Sequence, residues 1–320
     1  MQAGDFHVLL SGRFEASERD DWLRALRDAA PEVSWWSDNG AEIGRKAIVA
    51  AVVANPAPGA LQGMPNLRLV QALWAGVDKL LTDATLPPEV PLARMVDPVM
   101  HAAMAETALW AVLSLQRGFF DYAAQQRSGL WQQHEQRRAE DVLVLVLGLG
   151  HMGRAVASRL AAQGFRVSAW RASLAEHSVP AGVAVHAGTA ALAELLSASD
   201  IVINLLPLTR STTGLLDARF CATMRRGASL VNLARGGHVV DDDLLAALDS
   251  GQVRHAVLDV FQAEPLPAGH RYWQHPRVTL LPHVAALTDV RSAAQVVAAN
   301  LRAVRDDTAL AHLVDRARGY

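Results

Sequence analysis

Cysteine is almost absent from this chain of 320 residues, in which Cys221 is the only one. A single cysteine cannot form an intrachain disulfide, and it cannot build a cysteine-rich metal site. Disulfide scaffolds and cysteine-ligated metalloproteins are therefore excluded, and we expect no bound metal. So little cysteine suits a reducing compartment, and we expect the protein to be cytoplasmic.

A large excess of one charge is also lacking, and so is a long apolar run. Lys and Arg number 30 against 32 Asp and Glu, which argues against a nucleic acid or another polyanion bound by bulk electrostatics. Residues 1–7 lack the basic start and apolar core of a signal peptide. An apolar helix expected over 104–115 is interrupted by Glu106, and no apolar run reaches the roughly 18 residues that a membrane span needs. We expect neither a nucleic acid nor a membrane as partner.

The chain consists instead of short apolar runs that alternate with helical patterns. Its length exceeds the ~100–200 residues of a usual domain, so two domains are the first expectation. From residue 142 onward, strands are predicted at 142–147, 165–170, 201–206, 229–233, 255–260 and 278–281, with helices at 189–196, 216–224 and 241–248. This alternation predicts a doubly wound α/β domain with six parallel strands.

The first hundred residues show a weaker version of the same pattern. Strands are expected at 7–10, 47–53, 67–72 and 92–96, with a helix at 20–30, so we predict a smaller α/β unit. A further amphipathic helix, 289–306, follows a sheet that is already complete. We expect the chain to cross back there, giving one domain of residues 1–98 and 286–320 and a second of residues 99–285.

The first strand of the larger domain runs directly into Gly-Leu-Gly-His-Met-Gly at 148–153. Gly148 permits a tight turn, Gly150 lets the backbone approach a pyrophosphate, and Gly153 lets the following helix pack against the strand. The first N–H groups of that helix would face the anion, with His151 and Met152 at the variable positions of the turn. We predict a bound dinucleotide; a structural glycine turn and another nucleoside-type ligand are the alternatives.

The second strand of this domain ends at Arg171, where a site for NAD normally carries Asp or Glu to bind the ribose 2′-hydroxyl. A guanidinium suits a 2′-phosphate, which it can bind through two charge-assisted hydrogen bonds, and Ser173 could add another. The sequence therefore favours NADPH over NADH as cofactor. The alternative is that Arg171 is a solvated charge at a strand end.

Arg235, Glu264 and His283 each follow a predicted strand, at the edge where open α/β sheets bind their ligands. Reduction of a 2-oxo acid needs these groups: a guanidinium holds the carboxylate, an imidazolium delivers a proton, and a carboxylate orients the imidazole. Taken singly, each residue is ordinary. His283 could be a surface histidine, Arg235 a charge at a helix terminus, and Glu264 a turn residue.

Three motifs, in this order, resemble the signatures of the D-2-hydroxyacid dehydrogenases. They are Asn-Leu-Ala-Arg-Gly-Gly at 232–237, Leu-Asp-Val-Phe-Gln-Ala-Glu-Pro at 258–265 and Leu-Pro-His-Val-Ala at 281–285. The resemblance also covers 75–78, 148–153 and 206–214, and so runs over most of the chain. Within the family, the chain is most similar to the glyoxylate/hydroxypyruvate reductase A group at 203–207, 238–251, 273–277 and 314–320.

The resemblance implies a fold and a set of roles. The fold would be α/β with two doubly wound domains, a six-stranded Rossmann dinucleotide-binding domain and a smaller flavodoxin-like substrate domain. His283 would be the acid/base, Glu264 its partner and Arg235 the substrate anchor. Gly76 and Val77 would offer backbone N–H groups to the substrate carboxylate from the other domain, so that both domains close for catalysis.

Further residues would line the cofactor according to the same resemblance. These are Leu206, Pro207, Thr212, Ala234 and Asp259. Asp259 would lie near the nicotinamide carboxamide, although an Asp at a strand end often only holds a loop.

Two departures from the family pattern bear on the substrate pocket. The chain reads Val-Ala-Asn-Pro at 53–56, where the reductase group tends to carry an aromatic residue shortly before the Pro. Trp74 stands before Ala75 and Gly76, where a small residue would be unremarkable. Either its ring lies across the pocket or it packs in the core, and the preferred 2-oxo acid stays open.

The leading hypothesis is an NADPH-dependent reductase of glyoxylate, hydroxypyruvate or a similar small 2-oxo acid. A dehydrogenase of a bulkier 2-oxo acid is the alternative in the same class, and a dinucleotide-sensing protein without turnover is the alternative in another class. Phe119, Phe120 and Tyr122, followed by Trp131, predict an interface, so we expect a homodimer. By resemblance, Trp131 would reach toward the partner's active site.

Overall fold

The computed structural model describes residues 6–38, 44–172 and 179–320. The chain forms two compact units. Unit 1 comprises Met1–Met100 with Thr288–Tyr320, and unit 2 comprises His101–Leu287. The chain thus leaves unit 1, builds unit 2 and returns.

Strands and helices alternate along the described residues. The strands are β1 His7–Gly12, β2 Ser34–Ser37, β3 Ile48–Ala54, β4 Leu69–Ala72, β5 Leu92–Ala93, β6 Leu143–Leu147, β7 Arg166–Arg171, β8 Val183–Ala187, β9 Ile201–Asn204, β10 Ala228–Asn232, β11 Val253–Leu258 and β12 Val278–Leu280. The helices are α1 Ala16–Ala29, α2 Asp78–Leu81, α3 Pro98–Arg117, α4 Phe119–Arg127, α5 His151–Ala162, α6 Thr189–Ala198, α7 Ala218–Thr223, α8 Asp241–Asp249 and α9 Val290–Arg305. Short 3₁₀ turns join several of them.

Unit 1 is built on a parallel sheet of five strands in the order β2-β1-β3-β4-β5. This is the strand order of flavodoxin-like doubly wound sheets, as the resemblance implied. The edge strand β2, Ser-Trp-Trp-Ser, was not expected from the sequence, because its half-buried side chains give no clean alternation. The strand expected at 92–96 is shorter, since only Leu92 and Ala93 pair with β4.

The C-terminal helix α9 belongs to unit 1 and packs against α1. Its N-terminus is capped by the Asp289 carboxylate, which accepts hydrogen bonds from the N–H groups of Arg291 and Ser292. Toward its other end, the Arg302 guanidinium donates to the carbonyl oxygen of Ala29 at 2.6 Å. Side-chain and backbone bonds therefore fix the returning segment to the first helix of the chain.

Unit 2 is built on a parallel sheet in the order β12-β11-β10-β9-β6-β7-β8. The sheet has seven strands rather than the six expected, and β8, at the edge beside β7, is the strand that the sequence reading missed. The chain winds outward in both directions from β6 and β9, so the doubly wound α/β class is confirmed. The crevice where such a sheet reverses direction lies between β6 and β9.

Both faces of this sheet are covered, which explains the unbroken apolar run in β6. Val144 and Val146 lie in one hydrophobic cluster, and Leu145 and Leu147 lie in another. Because successive side chains of a strand point to opposite faces, a strand covered on both sides needs apolar residues at every position.

Helix α3 is 20 residues long, and by length and composition it is apolar enough to cross a membrane. This corrects the expectation that no apolar run reaches that length. Its residues Met104, Ala108, Val112 and Leu115 recur every three or four positions and lie in the same core cluster as Val144. Within unit 2, α3 is therefore a core helix that packs on the sheet.

Candidate active site

The residues that the sequence singled out in unit 2 lie at one edge of its sheet. Because all seven strands are parallel, their carboxyl ends meet at the same edge. Gly148 follows β6, Arg171 ends β7, Arg235 follows β10 and His283 follows β12. This is the edge at which open α/β sheets bind their ligands.

The three glycines of the first turn meet different neighbours. Gly148 has φ of 92°, and a Cβ on it would lie 2.7 Å from the carbonyl oxygen of Leu205. A Cβ on Gly153 would lie 1.9 Å from the carbonyl oxygen of Gly148. A Cβ on Gly150 would meet no atom within 4 Å, so the protein itself does not require a glycine there. Open space in front of this glycine fits the pyrophosphate of a dinucleotide.

Helix α5 begins at His151, directly after Gly150. As in any helix, its first N–H groups have no acceptor within the helix, and they carry the positive end of the helix dipole. The exposed imidazole of His151 stacks on that of His101, with ring centroids 5.4 Å apart and planes 8° from parallel. Met152 is half-buried and packs against the core of unit 2.

Arg171 is the last residue of β7 and pairs with Ala187 of β8. The residue is half-buried, and its Nε atom is buried. Ser173, the second residue expected to bind the 2′-phosphate, lies outside the described residues. The contact of either residue with a cofactor stays a prediction.

His283 and Glu264 are brought together. Nδ1 of the imidazole lies 2.8 Å from Oε2 of the carboxylate, and Oε1 of the same carboxylate accepts a hydrogen bond from the N–H of Phe261 at 2.9 Å. Glu264 is therefore fixed at both oxygens. The His283 side chain is half exposed, as a residue that meets a substrate must be.

The backbone of His283 has φ of 56°, in the left-handed region. A non-glycine residue there typically costs about 1–3 kcal/mol and persists only where its surroundings hold it. The surroundings here are Asp259: its carbonyl oxygen accepts from the N–H of His283, and its two carboxylate oxygens accept from Val284 at 2.7 Å and Ala285 at 3.1 Å. Asp259 thus fixes the turn that presents the imidazole.

Asp259 is buried, with 1% of its surface exposed. Burial raises the pKa of its carboxyl group above the ordinary value, and the two N–H donors oppose that rise. The sequence left two roles open for this residue, and the structure shows the loop-holding one. Its contact with the nicotinamide carboxamide stays a prediction.

Arg235 follows β10 by three residues, at the same edge as His283. Its half-buried guanidinium donates to the carbonyl oxygen of Ala234 at 2.6 Å. The next residue, Gly236, lies directly against the backbone of Phe261, because a Cβ there would come within 1.9 Å of the carbonyl carbon. The turn that carries Arg235 and the loop that carries Glu264 are therefore in contact.

The loop after β9, which was expected to line the cofactor, is held by its own polar groups. The Thr212 hydroxyl donates to the carbonyl oxygen of Pro207 at 2.7 Å and accepts from the N–H of Thr209 at 2.8 Å. Leu206 and Ala234, at the carboxyl ends of neighbouring strands, are buried. The loop is thus an organised surface at the point where the sheet reverses direction.

A buried pair of asparagines joins this loop to the Arg235 turn, and the sequence reading missed it. Nδ2 of Asn204 donates to Oδ1 of Asn232 at 3.0 Å, and Asn204 also accepts from the N–H of Leu206. Nδ2 of Asn232 donates to the carbonyl oxygen of Arg235 at 3.0 Å. A signal was available, because each asparagine ends an apolar strand.

The three substrate-binding candidates of unit 1 follow β4. The indole of Trp74 meets that of the buried Trp22 edge to face, with ring centroids 6.3 Å apart. Gly76 is half-buried, and Val77, which is buried, precedes the short helix α2. The expected role of these residues in the substrate pocket stays a prediction.

Trp131 lies in a segment without regular secondary structure after α4, and 95% of its surface is exposed. The segment is nevertheless tied to unit 2: the N–H of His134 donates to the Tyr122 hydroxyl at 2.9 Å, and Gln116 donates to the carbonyl oxygen of Arg137 at 2.8 Å. An ordered segment thus presents an indole with almost no intrachain contact.

Among residues 6–38, 44–172 and 179–320, no group of three His, Cys, Asp or Glu side chains could hold a metal ion. The only cysteine, Cys221, is buried, and burial raises the pKa of its thiol to about 11. A thiol in that state is a poor nucleophile at neutral pH.

Comparisons with known proteins match this chain to 2-hydroxyacid dehydrogenases. The family model for the NAD-binding domain of D-isomer specific 2-hydroxyacid dehydrogenases matches residues 109–285. A D-isomer specific 2-hydroxyacid dehydrogenase from Xanthobacter autotrophicus Py2, crystallised with NADPH and MES, is 36% identical with a TM-score of 0.93, covering 99% of this chain and 100% of that one.

Two further solved structures are similar over nearly the full length. An NADPH-dependent glyoxylate/hydroxypyruvate reductase from Sinorhizobium meliloti, crystallised with NADP and sulfate, is 34% identical with a TM-score of 0.91, covering 98% of this chain and 100% of that one. A D-isomer specific 2-hydroxyacid dehydrogenase family protein from Klebsiella pneumoniae 342 is 38% identical with a TM-score of 0.86, covering 98% of each chain.

Proposed function

The chain belongs to the D-isomer specific 2-hydroxyacid dehydrogenase family, and we propose which reaction of that family it catalyses. It reduces a small 2-oxo acid of the glyoxylate or hydroxypyruvate type to the D-2-hydroxy acid, with NADPH as the reductant. The observation that carries this proposal is the His283–Glu264 pair, 2.8 Å apart at the carboxyl edge of the dinucleotide-binding sheet.

Each residue of the group has one task in the reaction. The bound reduced nicotinamide supplies the hydride that is added to C2 of the 2-oxo acid. Arg235 binds the carboxylate and polarises the C2 carbonyl, because a guanidinium matches a carboxylate through two parallel hydrogen bonds. His283 donates the proton from Nε2 to the ketone oxygen, which becomes the hydroxyl group. Glu264 holds the ring through Nδ1, so that Nε2 is the nitrogen turned to the substrate.

NADPH is the proposed cofactor because of Arg171. It occupies the strand end where an acidic side chain would select the ribose 2′-hydroxyl of NADH, and its guanidinium instead suits the 2′-phosphate. Two relatives, at 36% and 34% identity, were crystallised with NADPH and NADP. Both observations support the same preference.

A small substrate is proposed because of the reductase relative. The relative from Sinorhizobium meliloti is described as a glyoxylate/hydroxypyruvate reductase. The Trp74 ring, which the sequence placed either across the pocket or in the core, packs edge to face on Trp22 of the same unit. A dehydrogenase of a bulkier 2-oxo acid stays the alternative.

We also propose that the protein acts as a homodimer. The exposed Trp131 and Leu130 follow α4, whose Phe119 is 52% exposed, and apolar side chains exposed together usually mark an interface. A two-fold axis through this surface would bury both copies of it.

A panel of 2-oxo acids, assayed by the loss of NADPH absorbance, tests the proposal. Glyoxylate and hydroxypyruvate should give higher kcat/KM than pyruvate, and far higher kcat/KM than phenylpyruvate. Preference for phenylpyruvate would favour the alternative dehydrogenase. An absence of NADPH oxidation with every acid would contradict the proposed reaction.

A further inference from the structure

His238 is a histidine in the core of unit 2 that the proposed reaction does not use. It ends the short turn Gly236–His238 that follows Arg235, and it has no exposed surface. Its Nδ1 lies 3.0 Å from the carbonyl oxygen of Arg235, and its Nε2 lies 3.2 Å from the carbonyl oxygen of Pro207. The ring therefore connects two segments that lie 28 residues apart in the chain.

The two carbonyl oxygens beside the ring are both acceptors, and this favours a proton on each ring nitrogen. A backbone carbonyl oxygen has lone pairs and no hydrogen to donate. A neutral imidazole donates from one nitrogen only, so it would leave the lone pair of the other nitrogen against a carbonyl lone pair. Only an imidazolium makes both hydrogen bonds at once.

Ionisable groups on the segments next to His238 include Arg210, Asp217, Arg235, Asp241 and Glu264. Asp217 caps α7, and Asp241 accepts a hydrogen bond from the Tyr272 hydroxyl at 2.9 Å. Burial disfavours the charged ring, and the dipoles of the two carbonyl groups favour it.

The two carbonyl groups belong to the two loops of the candidate active site. That of Arg235 also accepts from Nδ2 of Asn232 at 3.0 Å, and that of Pro207 also accepts from the Thr212 hydroxyl at 2.7 Å. The Arg235 oxygen also accepts from the backbone N–H of His238 at 3.3 Å, so each oxygen has at least one donor besides a ring nitrogen of His238. The histidine adds a side-chain link between the substrate-anchoring turn and the loop expected to line the cofactor, beside the asparagine pair and the backbone hydrogen bonds from Gly214 and Leu216.

We propose that His238 is a positioning residue, held as a buried imidazolium, that fixes the Arg235 turn relative to the Pro207 loop. The ring touches neither substrate nor cofactor, and it acts through the backbone of the residues that do. This inference rests on the proposed function in one respect, because it takes Arg235 as the substrate anchor. A positional error of about 1 Å at such a group can cost as much as about a hundredfold in rate.

Kinetics of three variants test the positioning role. His238→Phe fills the space but removes both donors, and His238→Gln keeps an N–H donor. His255→Phe is the matched control, because His255 is also a buried histidine of unit 2, and it stacks on Phe120 and bonds Thr279.

We expect His238→Phe to raise KM for glyoxylate about tenfold or more and to weaken NADPH binding, with partial recovery in His238→Gln. His255→Phe should leave both constants near the wild-type values, even where it lowers the stability of the folded protein. If His238→Phe and His255→Phe give equal KM values and equal NADPH affinities, His238 has only a structural role and the proposal is wrong.

Nitrogen NMR of the full-length protein labelled with ¹⁵N-histidine tests the protonation state without any substrate. At a pH above 8, where exposed histidines are neutral, one ring should still show two protonated nitrogens, and its signals should be missing from the His238→Gln spectrum. His255 serves as the internal reference, since burial lowers the pKa of its ring to about 4.

If only neutral tautomers are found at that pH, the His238 ring is not an imidazolium and the proposed protonation state is wrong. The two experiments also separate this inference from the proposed function. If the protein does not reduce glyoxylate, the kinetic comparison fails for every variant, whereas the NMR result and the NADPH affinities still decide the role of His238.

Discussion

Nδ1 of His283 lies 2.8 Å from Oε2 of Glu264, although 19 residues separate the two in the sequence. The backbone of His283 is held in the left-handed region by three hydrogen bonds to Asp259. With one ring nitrogen committed to the carboxylate and the backbone fixed, the imidazole can present only Nε2 to a substrate. The orientation of the imidazole is thus set before a substrate binds.

Replacing His283 with Ala should lower kcat by about 10²–10⁴, the usual contribution of a general acid. NADPH affinity should change little, because the glycine turn at 148–153 is untouched. Steady-state kinetics and a fluorescence titration with NADPH measure the two quantities separately.

The chain offers a matched control for this variant. His275 also faces a carboxylate, with its Nε2 3.2 Å from Oδ1 of Asp249, but it precedes β12 and lies away from the carboxyl edge. His275→Ala should keep wild-type activity. Equal losses in the two variants would mean that His283 has no special role in catalysis.

Replacing Arg171 with Asp should move cofactor preference from NADPH toward NADH. The change removes the proposed partner of the 2′-phosphate and adds repulsion, so the ratio of kcat/KM values should shift by tenfold or more, which is at least about 1.4 kcal/mol. The control is Arg166→Asp, at the opposite end of the same strand, where the side chain is exposed. Wild-type protein that uses NADH as well as NADPH would contradict the assignment.

The acid sensitivity of folding should depend partly on His255. Burial lowers the pKa of this imidazole from its ordinary value of 6.5 to about 4, so between these values the unfolded chain binds more protons than the folded one. Stability is therefore complete above about pH 6.5 and is lost as the pH falls toward 4, by at most about 1.4 kcal/mol per pH unit.

The His255→Phe variant lacks this titration. Its thermal midpoint should fall less than that of the wild type between about pH 7 and about pH 5. Parallel curves for the two proteins would show that His255 is protonated equally in the folded and unfolded states.

The doubly wound fold was predictable from the sequence, because apolar runs buried on both faces leave a strong pattern. Strands β6, β9 and β10 are examples, and every one of their residues except Leu143 is buried. Strands β2 and β8 were missed because they lie at sheet edges and most of their side chains are only partly buried or exposed. An edge strand is stabilised by its one neighbour more than by its composition.

Much of the candidate site was predictable for a different reason. Arg235, Glu264 and His283 each follow a strand of the parallel sheet and stand in motifs that resemble family signatures. The supporting residues were not found, since Asn204, Asn232 and His238 act through contacts between segments far apart in the chain. Two candidate roles for Asp259 could be weighed only once its two oxygens were seen to accept from Val284 and Ala285.

Replacing Trp131 with Ala should alter the choice of substrate if the indole of one subunit lies beside the site of its partner. The wild-type mass in solution, measured by light scattering, should be that of a dimer. The 2-oxo acid panel repeated on the variant should give a changed ranking. Leu130→Ala is the control, because Leu130 precedes Trp131 in the chain and its side chain is also exposed.

A monomer at micromolar concentration with full activity would contradict the dimer. If the protein is a dimer and Trp131→Ala leaves the substrate ranking unchanged, the proposed interface stands. Trp131 then does not lie beside the partner's active site.

The most direct test of the account is the product formed from hydroxypyruvate and NADPH by the wild-type protein. Chiral chromatography of the reaction mixture identifies the glycerate enantiomer, and the loss of absorbance gives the NADPH consumed. We expect D-glycerate in an amount equal to the NADPH oxidised, and no product from the His283→Ala variant on the same time scale. L-Glycerate, or NADPH oxidised without glycerate, would contradict the account.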